Sequence, residues 1–178
     1  IIGKEGRNIR VIEQLTGVDI IIDDTPGAIV ISGYDLARRY VAKLAMEKLI
    51  KDGRIQPARI EEVVNKMKQE VGKMMLEFGK RATDDLGIKN YPQDLLKIIG
   101  RLRFRTSYGQ NILKHSVEMA NIGRMLAEEI GANEQIVVEG CLLHDIGKAL
   151  DHEVSGTHVE IGVEICKRFK VRPEVIHC

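Results

Sequence analysis

The residues best suited to chemistry in this sequence are a histidine and an aspartate that follow each other directly, His144 and Asp145. An apolar stretch precedes them, and Gly147 and Lys148 come shortly after. Imidazole nitrogens and carboxylate oxygens are ligands for divalent cations, which need several donors held in place by rigid elements. One helix edge can offer these two side chains together, so a third ligand must come from elsewhere in the chain. The pair therefore predicts part of a metal site.

His115 is the natural third ligand. It lies among aliphatic residues in the middle of a predicted helix, where a role in solvent is not obvious. One histidine on an apolar helix face is more often a core residue than a ligand. Three candidate ligands on successive predicted helices are much harder to explain by packing alone. We therefore predict a divalent metal site made by His115, His144 and Asp145, with Lys148 placed there either to hold a phosphate or to pair with Asp145.

A second motif, near the start of the chain, suits a nucleic acid. Gly3 and Gly6 enclose two charged residues, between two isoleucines and a predicted helix that begins near Arg7. Glycines let a backbone approach a sugar-phosphate chain closely, and amides at a helix N-terminus can face phosphates. A bare G-x-x-G tetrapeptide is more often a plain turn, but the elements that follow it are those of an RNA-binding module. The predicted RNA-binding residues are Gly3, Lys4, Glu5, Gly6, Arg7 and Arg10.

The glycine loop is positioned by a first block of elements, over residues 1–53. The β-branched run Val18–Ile22 and the segment Ala28–Ser32 predict two strands around turn residues at 23–27. A helix is predicted from Tyr34 to Lys51, ended by Gly53. The order helix, strand, turn, strand and helix resembles the end of a type I KH domain, which has a further strand and helix before its glycine loop. The block is therefore predicted to be a partial KH module with a two-stranded sheet.

Residues 54–90 are predicted to form a long linking helix, and residues 91–178 an all-helical block. Apolar residues recur in the linking helix in steps of four and three, at Ile60, Val64, Met67, Val71, Met74 and Phe78. This heptad-like series is typical of packing on a partner helix or a second subunit, but it also fits an amphipathic helix on its own domain. The predicted helices of the last block are Pro92–Leu102, Ser107–Ile130, Glu134–Leu150 and Thr157–Phe169, with another starting at Pro173. The predicted fold class is α+β and mostly helical.

The composition is that of a globular protein and excludes several other classes. Apolar residues make up 44% of the 178 residues and charged residues 30%, which argues against disorder. No apolar run approaches the roughly 20 residues needed to span a bilayer. The net charge is +1, so any basic surface for RNA must be local. Cys141, Cys166 and Cys178 are too few and too scattered for a disulfide framework, and are predicted to be reduced thiols of a cytosolic protein.

The histidine and aspartate pattern resembles the HD superfamily of metal-dependent phosphohydrolases. Within it, the stretches Arg103–Lys114 and Asp151–His158 are similar to the ribonuclease Y family, as is the first block with its turn Asp23–Pro26. The resemblance covers nearly the whole chain. It implies that His115, His144 and Asp145 hold Mg²⁺ or Mn²⁺, and that His144, Asp145 and Lys148 are catalytic. It also implies that His158 can serve a second ion, although the place of His158 at a predicted helix start suits a solvated or capping role equally well. It also implies a chain cut short at both ends, because the family's last ligand, an Asp, lies further downstream.

By this resemblance the function is that of an endoribonuclease that initiates mRNA decay, hydrolysing RNA phosphodiester bonds while the KH module grips single-stranded RNA. The parent protein would be a homodimer or oligomer that meets other RNA-decay proteins at the cytoplasmic face of a bacterial membrane, anchored by a helix outside this sequence. The 178 residues themselves would be soluble and nearly inactive. The alternatives are an HD phosphohydrolase of nucleotides or cyclic dinucleotides, and a catalytically silent RNA-binding scaffold.

One basic run leaves two interpretations open. Arg101, Arg103 and Arg105 alternate with apolar residues just before the His115 helix. Such a run is usually a solvated face, but its place at the entry to that helix also suits contact with an RNA backbone.

Overall fold

The structure is a computed structural model that describes residues 2–22 and 27–178. The predicted turn at residues 23–26 lies outside the described residues. The chain divides into two compact units, Ile1–Lys73 and Met74–Cys178. The fold is α+β and mostly helical, as predicted from the sequence. The finer division at residues 53 and 90 stays a prediction. No helix of the described ranges combines the length and the apolarity needed to cross a membrane.

The described residues of the first unit begin with two helices and a small antiparallel sheet, in the predicted order. Its elements are α1 (Arg7–Thr16), β1 (Asp19–Ile21), β2 (Val30–Ser32) and α2 (Leu36–Asp52). Local chemistry fixes the helix ends: Gly17 closes α1 with a φ of 71°, and the Asp35 carboxylate accepts hydrogen bonds from the first amides of α2. In the sheet, Ile20 lies opposite Ile31.

The long helix α3 (Pro57–Asp85) is continuous, and the boundary between the two units falls inside it. Four residues of the heptad-like series are buried within the first unit: Ile60, Val64, Met67 and Val71. Of the two interpretations of that series, this burial favours packing of the first part of the helix on its own chain.

The second unit is built from α4 (Gln93–Arg101), α5 (Ile112–Ile130), α6 (Glu134–Leu143), α7 (His158–Arg168) and α8 (Pro173–His177). Its core contains fully buried aliphatic side chains, among them Leu95, Ile99, Leu102, Leu142 and Ile146. The C-terminal part of α3 crosses α4 at two glycines. A side chain on Gly79 would collide with the carbonyl of Leu96, and one on Gly100 with the carbonyl of Met75, so the two helix backbones are in direct contact.

The predicted helix start at Ser107 is wrong. A short antiparallel hairpin lies there instead, made of the strands β3 (Thr106–Ser107) and β4 (Gln110–Asn111). The last block is therefore not entirely helical. Tyr108 and Gly109 both have positive φ, at 51° and 77°, which is the requirement of a tight two-residue hairpin turn. Helix α5 then begins at Ile112, because the side chain of Asn111 accepts a hydrogen bond from the Lys114 amide and caps it.

The predicted single helix Glu134–Leu150 is also wrong, since it is broken next to the candidate ligands. Helix α6 ends at Leu143, His144 keeps a helical backbone, and Asp145 leaves the helix with φ −109° and ψ 14°. A 3₁₀ turn follows at Ile146–Ala149. Because the helix ends here, the Asp145 carboxylate does not lie where a continuing helix would place it.

Candidate metal centre

The structure brings the three predicted metal ligands together. One ligand atom from each of His115, His144 and Asp145 lies within 4.8 Å of the others, and across residues 2–22 and 27–178 these side chains form a group suited to holding an ion. His115 comes from the first part of α5, whereas His144 and Asp145 come from the end of α6. The two imidazole rings meet edge to face, with their centroids 5.5 Å apart. Two nitrogens and a carboxylate converging from two elements are a donor set that a divalent cation accepts.

The tautomer of His144 suits a ligand. Its Nδ1 lies 2.7 Å from the carbonyl oxygen of Cys141, one turn earlier in α6. A carbonyl only accepts, so Nδ1 carries a proton and donates, which leaves Nε2 as the ring nitrogen that can coordinate an ion. That Nε2 faces the Asp145 carboxylate at 3.3 Å. A ring nitrogen and a carboxylate oxygen this close together can share one cation, so the residues present fit a bound metal ion.

Asp145 is the most enclosed of the three ligands, with 7% of its surface exposed. Its Oδ2 accepts a hydrogen bond from Lys148 Nζ at 2.8 Å. Of the two roles considered for Lys148, the structure therefore shows the ion pair with Asp145. A buried carboxylate needs such a partner, because desolvation without one is costly.

His158 lies on the other side of the same carboxylate, with its Nε2 3.9 Å from Asp145 Oδ1. It is the first residue of α7, whose start is fixed by a capping box between Thr157 and Glu160. The Thr157 amide and hydroxyl both donate to the Glu160 carboxylate and lower its pKa. His158 therefore lies beside the predicted ligand Asp145. Binding of a second ion by His158 stays a prediction.

Gly147 allows this approach of α7, a role that its place in the motif did not reveal. A Cβ on Gly147 would collide with the carbonyl of His158 and would lie 2.8 Å from the amide nitrogen of Gly162. The backbone of the 3₁₀ turn therefore lies directly against the first turns of α7. Only glycine permits that contact, and the contact places His158 near Asp145.

Two of the three arginines in the basic run are held by acidic partners. Arg101 forms an ion pair with Glu153 at 2.8 Å, and Arg105 forms one with Asp151 at 2.9 Å. Arg105 also contacts the Nε2 atom of His152. These pairs connect the segment before the hairpin to the segment after the 3₁₀ turn, so Arg101 and Arg105 have a structural role. In the sequence, the acidic residues Asp151 and Glu153 were the sign that these arginines could form ion pairs.

In the first unit, the glycine loop folds into one 3₁₀ turn, Lys4–Gly6. Gly3 and Gly6 have φ values of 76° and 73°, and Glu5 also has a positive φ. The amides of Gly6, Arg7 and Asn8 donate to carbonyls of the loop itself, which differs from the expectation that the first amides of α1 face phosphates. The side chains of Lys4, Arg7 and Arg10 are all exposed, so the positive charge of the loop comes from them.

Comparison with known proteins identifies both units. Residues 1–48 match the family model of the KH domain, and residues 112–178 match that of the HD domain. Ribonuclease Y of Thermoanaerobacter pseudethanolicus is 58% identical over 99% of this chain, and ribonuclease Y of Alkaliphilus metalliredigens is 54% identical over the same share. The chain is similar to ribonuclease Y along almost its whole length. It spans 35% and 37% of the lengths of these two curated relatives, and 34% of a third, ribonuclease Y of Symbiobacterium thermophilum, at 57% identity. No solved structure matches it.

Proposed function

We propose that this chain is the RNA-binding and metal-binding part of a metal-dependent endoribonuclease. The observation that carries the proposal is the convergence of His115, His144 and Asp145 within 4.8 Å, in a chain that also has a KH module. A KH module grips single-stranded RNA, whereas a hydrolase of nucleotides or cyclic dinucleotides has no need of one. The substrate is therefore single-stranded RNA, and the bond that is hydrolysed is a phosphodiester.

His115, His144 and Asp145 would hold the ion, which is Mg²⁺ or Mn²⁺. When bound, it supplies Lewis-acid chemistry: it polarises the phosphate and makes water a stronger nucleophile at neutral pH. Lys148 keeps the Asp145 carboxylate in place through its 2.8 Å ion pair and adds a positive charge where the phosphate becomes more negative. His158, 3.9 Å from the other carboxylate oxygen, would serve a second ion.

For the whole protein, the proposal is a nuclease that initiates mRNA decay. It would act as a homodimer or oligomer with other RNA-decay proteins, at the cytoplasmic face of a bacterial membrane. The support for this part is the family, since the relatives are named ribonuclease Y and are about three times as long as the chain.

The proposal is tested by removing one ligand at a time in the full-length protein. His144→Ala and Asp145→Ala should abolish RNA cleavage with either ion, and should weaken Mn²⁺ binding in calorimetry by more than the roughly 10–100-fold typical of losing an outer-shell partner. His177→Ala is the matched control, because His177 is exposed and distant from the ligands in sequence. Circular dichroism should show an intact fold in all three variants. Undiminished cleavage by either ligand variant would refute the assignment.

A further inference from the structure

A groove in the second unit, separate from the three predicted ligands, has the chemistry of a nucleotide site. It has a volume of 540 Å³ and lies between the C-terminal part of α3 and the start of α5. Its floor is apolar and consists of Phe78, Leu113 and Val117, and its rim carries the cations Arg81, Arg103 and Lys114. We call it the Phe78 groove. Its volume is within the range of roughly 300–1,000 Å³ found for small-ligand sites.

Arg103 is held in position over the floor. Its guanidinium carbon lies 5.7 Å from the centroid of the Phe78 ring, a cation–π distance. The side-chain amide of Asn111 donates to the backbone carbonyl of Arg103 at 2.6 Å, and Phe104 packs edge to face on Phe78. Arg101 and Arg105 are tied to acidic residues elsewhere, so Arg103 is the arginine of the run that faces this groove. The guanidinium thus lies over the aromatic ring, on a backbone that the Asn111 side chain holds.

The rim has more positive than negative charge. Beside the three cations it carries Asp85 and Glu118, and the Glu118 carboxylate is 3.5 Å from Lys114 Nζ. Arg81 and Arg103 are both exposed and therefore accessible to a ligand. An apolar aromatic floor under a cationic rim suits a ligand with a flat ring and a phosphate, because bases stack on aromatic side chains while guanidinium groups bind phosphate oxygens.

The groove is next to the candidate metal centre along α5. Glu118, on the rim of the groove, follows His115 by three residues, a spacing that makes side chains neighbours on a helix surface. A strand of RNA whose phosphate is at the metal centre therefore has its neighbouring nucleotides within reach of the groove. We propose that the Phe78 groove binds one nucleotide of the single-stranded RNA beside the bond that is cleaved, with the base on Phe78 and the phosphate on Arg81 and Arg103. This inference rests on the proposed function and assigns its substrate-positioning residues.

The first test measures RNA binding in the full-length protein carrying His144→Ala, so that cleavage does not interfere. Adding Arg81→Ala with Arg103→Ala should weaken binding of a short single-stranded RNA about tenfold in fluorescence anisotropy, as expected for one lost stacking and phosphate subsite. The matched control is Lys167→Ala with Arg168→Ala on α7. It removes the same charge, and Arg168 also lies over an aromatic ring, Phe169, at 6.0 Å. Equal loss in both double variants would overturn the inference, because only general charge would then matter.

The second test locates the base directly. Single-stranded RNA carrying 4-thiouridine should crosslink on irradiation to the peptides that contain Phe78 or Leu113–Val117, and a duplex of the same sequence should not. Absence of these crosslinks, as expected if a protein segment covers the groove instead, would overturn the inference while leaving metal-dependent cleavage intact. Crosslinks at the groove in a protein without nuclease activity would support the inference and refute the proposed function, so the two failures are distinguishable.

Discussion

Asp145 connects the residues of the candidate metal centre, because its two carboxylate oxygens contact three different side chains. Oδ2 lies against His144 and Lys148, and Oδ1 faces His158. These contacts depend on one backbone break, since Asp145 has left α6 while His144 has not. A single residue at a helix end thereby contacts an ammonium group and two imidazole rings.

The three cysteines differ in environment, and this predicts their reactivity. Burial raises the pKa of the Cys166 thiol to about 11, and only 5% of the residue is exposed. Burial, and then the neighbouring Cys178, raise the pKa of Cys141. The pKa of Cys166 is therefore higher in the folded chain than in the unfolded chain, where it is near 8.5. The contribution of the buried neutral thiol to the free energy of unfolding is fully present below the unfolded pKa, and it is lost as the pH rises through about 11.

At pH 8 we therefore expect iodoacetamide to modify the exposed Cys178 of the 178-residue chain first, since the thiolate is the reactive form. Cys166 should react at least about 100-fold more slowly and should become reactive only in urea. Intact-mass spectrometry measures both rates, and Cys178→Ser provides the control in which early labelling disappears. Rapid labelling of Cys166 in the native chain would contradict the burial described here.

At the scale of elements, the glycine loop is the part of the first unit that we expect to bind RNA. Replacing Lys4 and Glu5 by Asp in the full-length protein should weaken single-stranded RNA binding about tenfold at low salt, because acidic side chains would then face the phosphates. The difference should shrink as salt rises and screens the charges.

A matched control for this loop variant is available on α2. Lys43 and Glu47 form an exposed ion pair at 3.9 Å, and replacing both by Asp changes the charge by the same amount. Binding should fall much less in this control. Equal affinity of the loop variant and the unmodified protein at low salt would show that Gly3–Gly6 is only a turn.

Two glycines of α3 predict opposite effects of the same substitution. Gly79 is pressed against the carbonyl of Leu96, so Gly79→Ala should lower the free energy of unfolding by about 1–3 kcal/mol or more. Gly72 has open space around its Cα, so Gly72→Ala should raise it by about 0.5–1 kcal/mol through better helix propensity. Urea denaturation measures both values. Similar stability of the two variants would mean that α3 and α4 are not in backbone contact at Gly79.

At the scale of the whole molecule, one helix of the second unit carries an exposed apolar face. Five exposed hydrophobic residues follow His115 at helical spacing on α5: Met119, Ile122, Met125, Leu126 and Ile130. The relatives are about three times as long, and the family resemblance implies a further Asp ligand downstream of residue 178. Hard cations such as Mg²⁺ depend on carboxylate charge for their affinity, so the ligands of this segment alone would hold one weakly.

We therefore predict that residues 1–178 cleave RNA at least about 100-fold more slowly than a version extended through that downstream Asp. The two proteins are assayed side by side with Mg²⁺ and with Mn²⁺. Their RNA affinities, measured without metal, serve as the control, since both contain the same glycine loop. Comparable turnover would show that the last ligand of the family is dispensable and that the site described here is complete.

The features that depend on neighbouring residues could be predicted from the sequence. Gly17, Gly53 and Gly131 end their helices with positive φ, as expected where no side chain opposes a left-handed turn. The spacing of polar and apolar residues indicated a mostly helical α+β fold, and the residue types of His115, His144 and Asp145 indicated a metal site. These signals act over a few residues, so they can be recognised before any packing is known.

Which side chains meet became clear from the tertiary structure. It showed that Lys148 pairs with Asp145, that Gly147 lets α7 approach, and that Arg101 and Arg105 are tied to the 151–153 segment. It also replaced a predicted helix start with the hairpin around Tyr108, whose positive φ is unusual for that residue type and gives a weak sequence signal. The contacts of Gly147, Arg101 and Arg105 join different elements of the chain, where packing outweighs local preference.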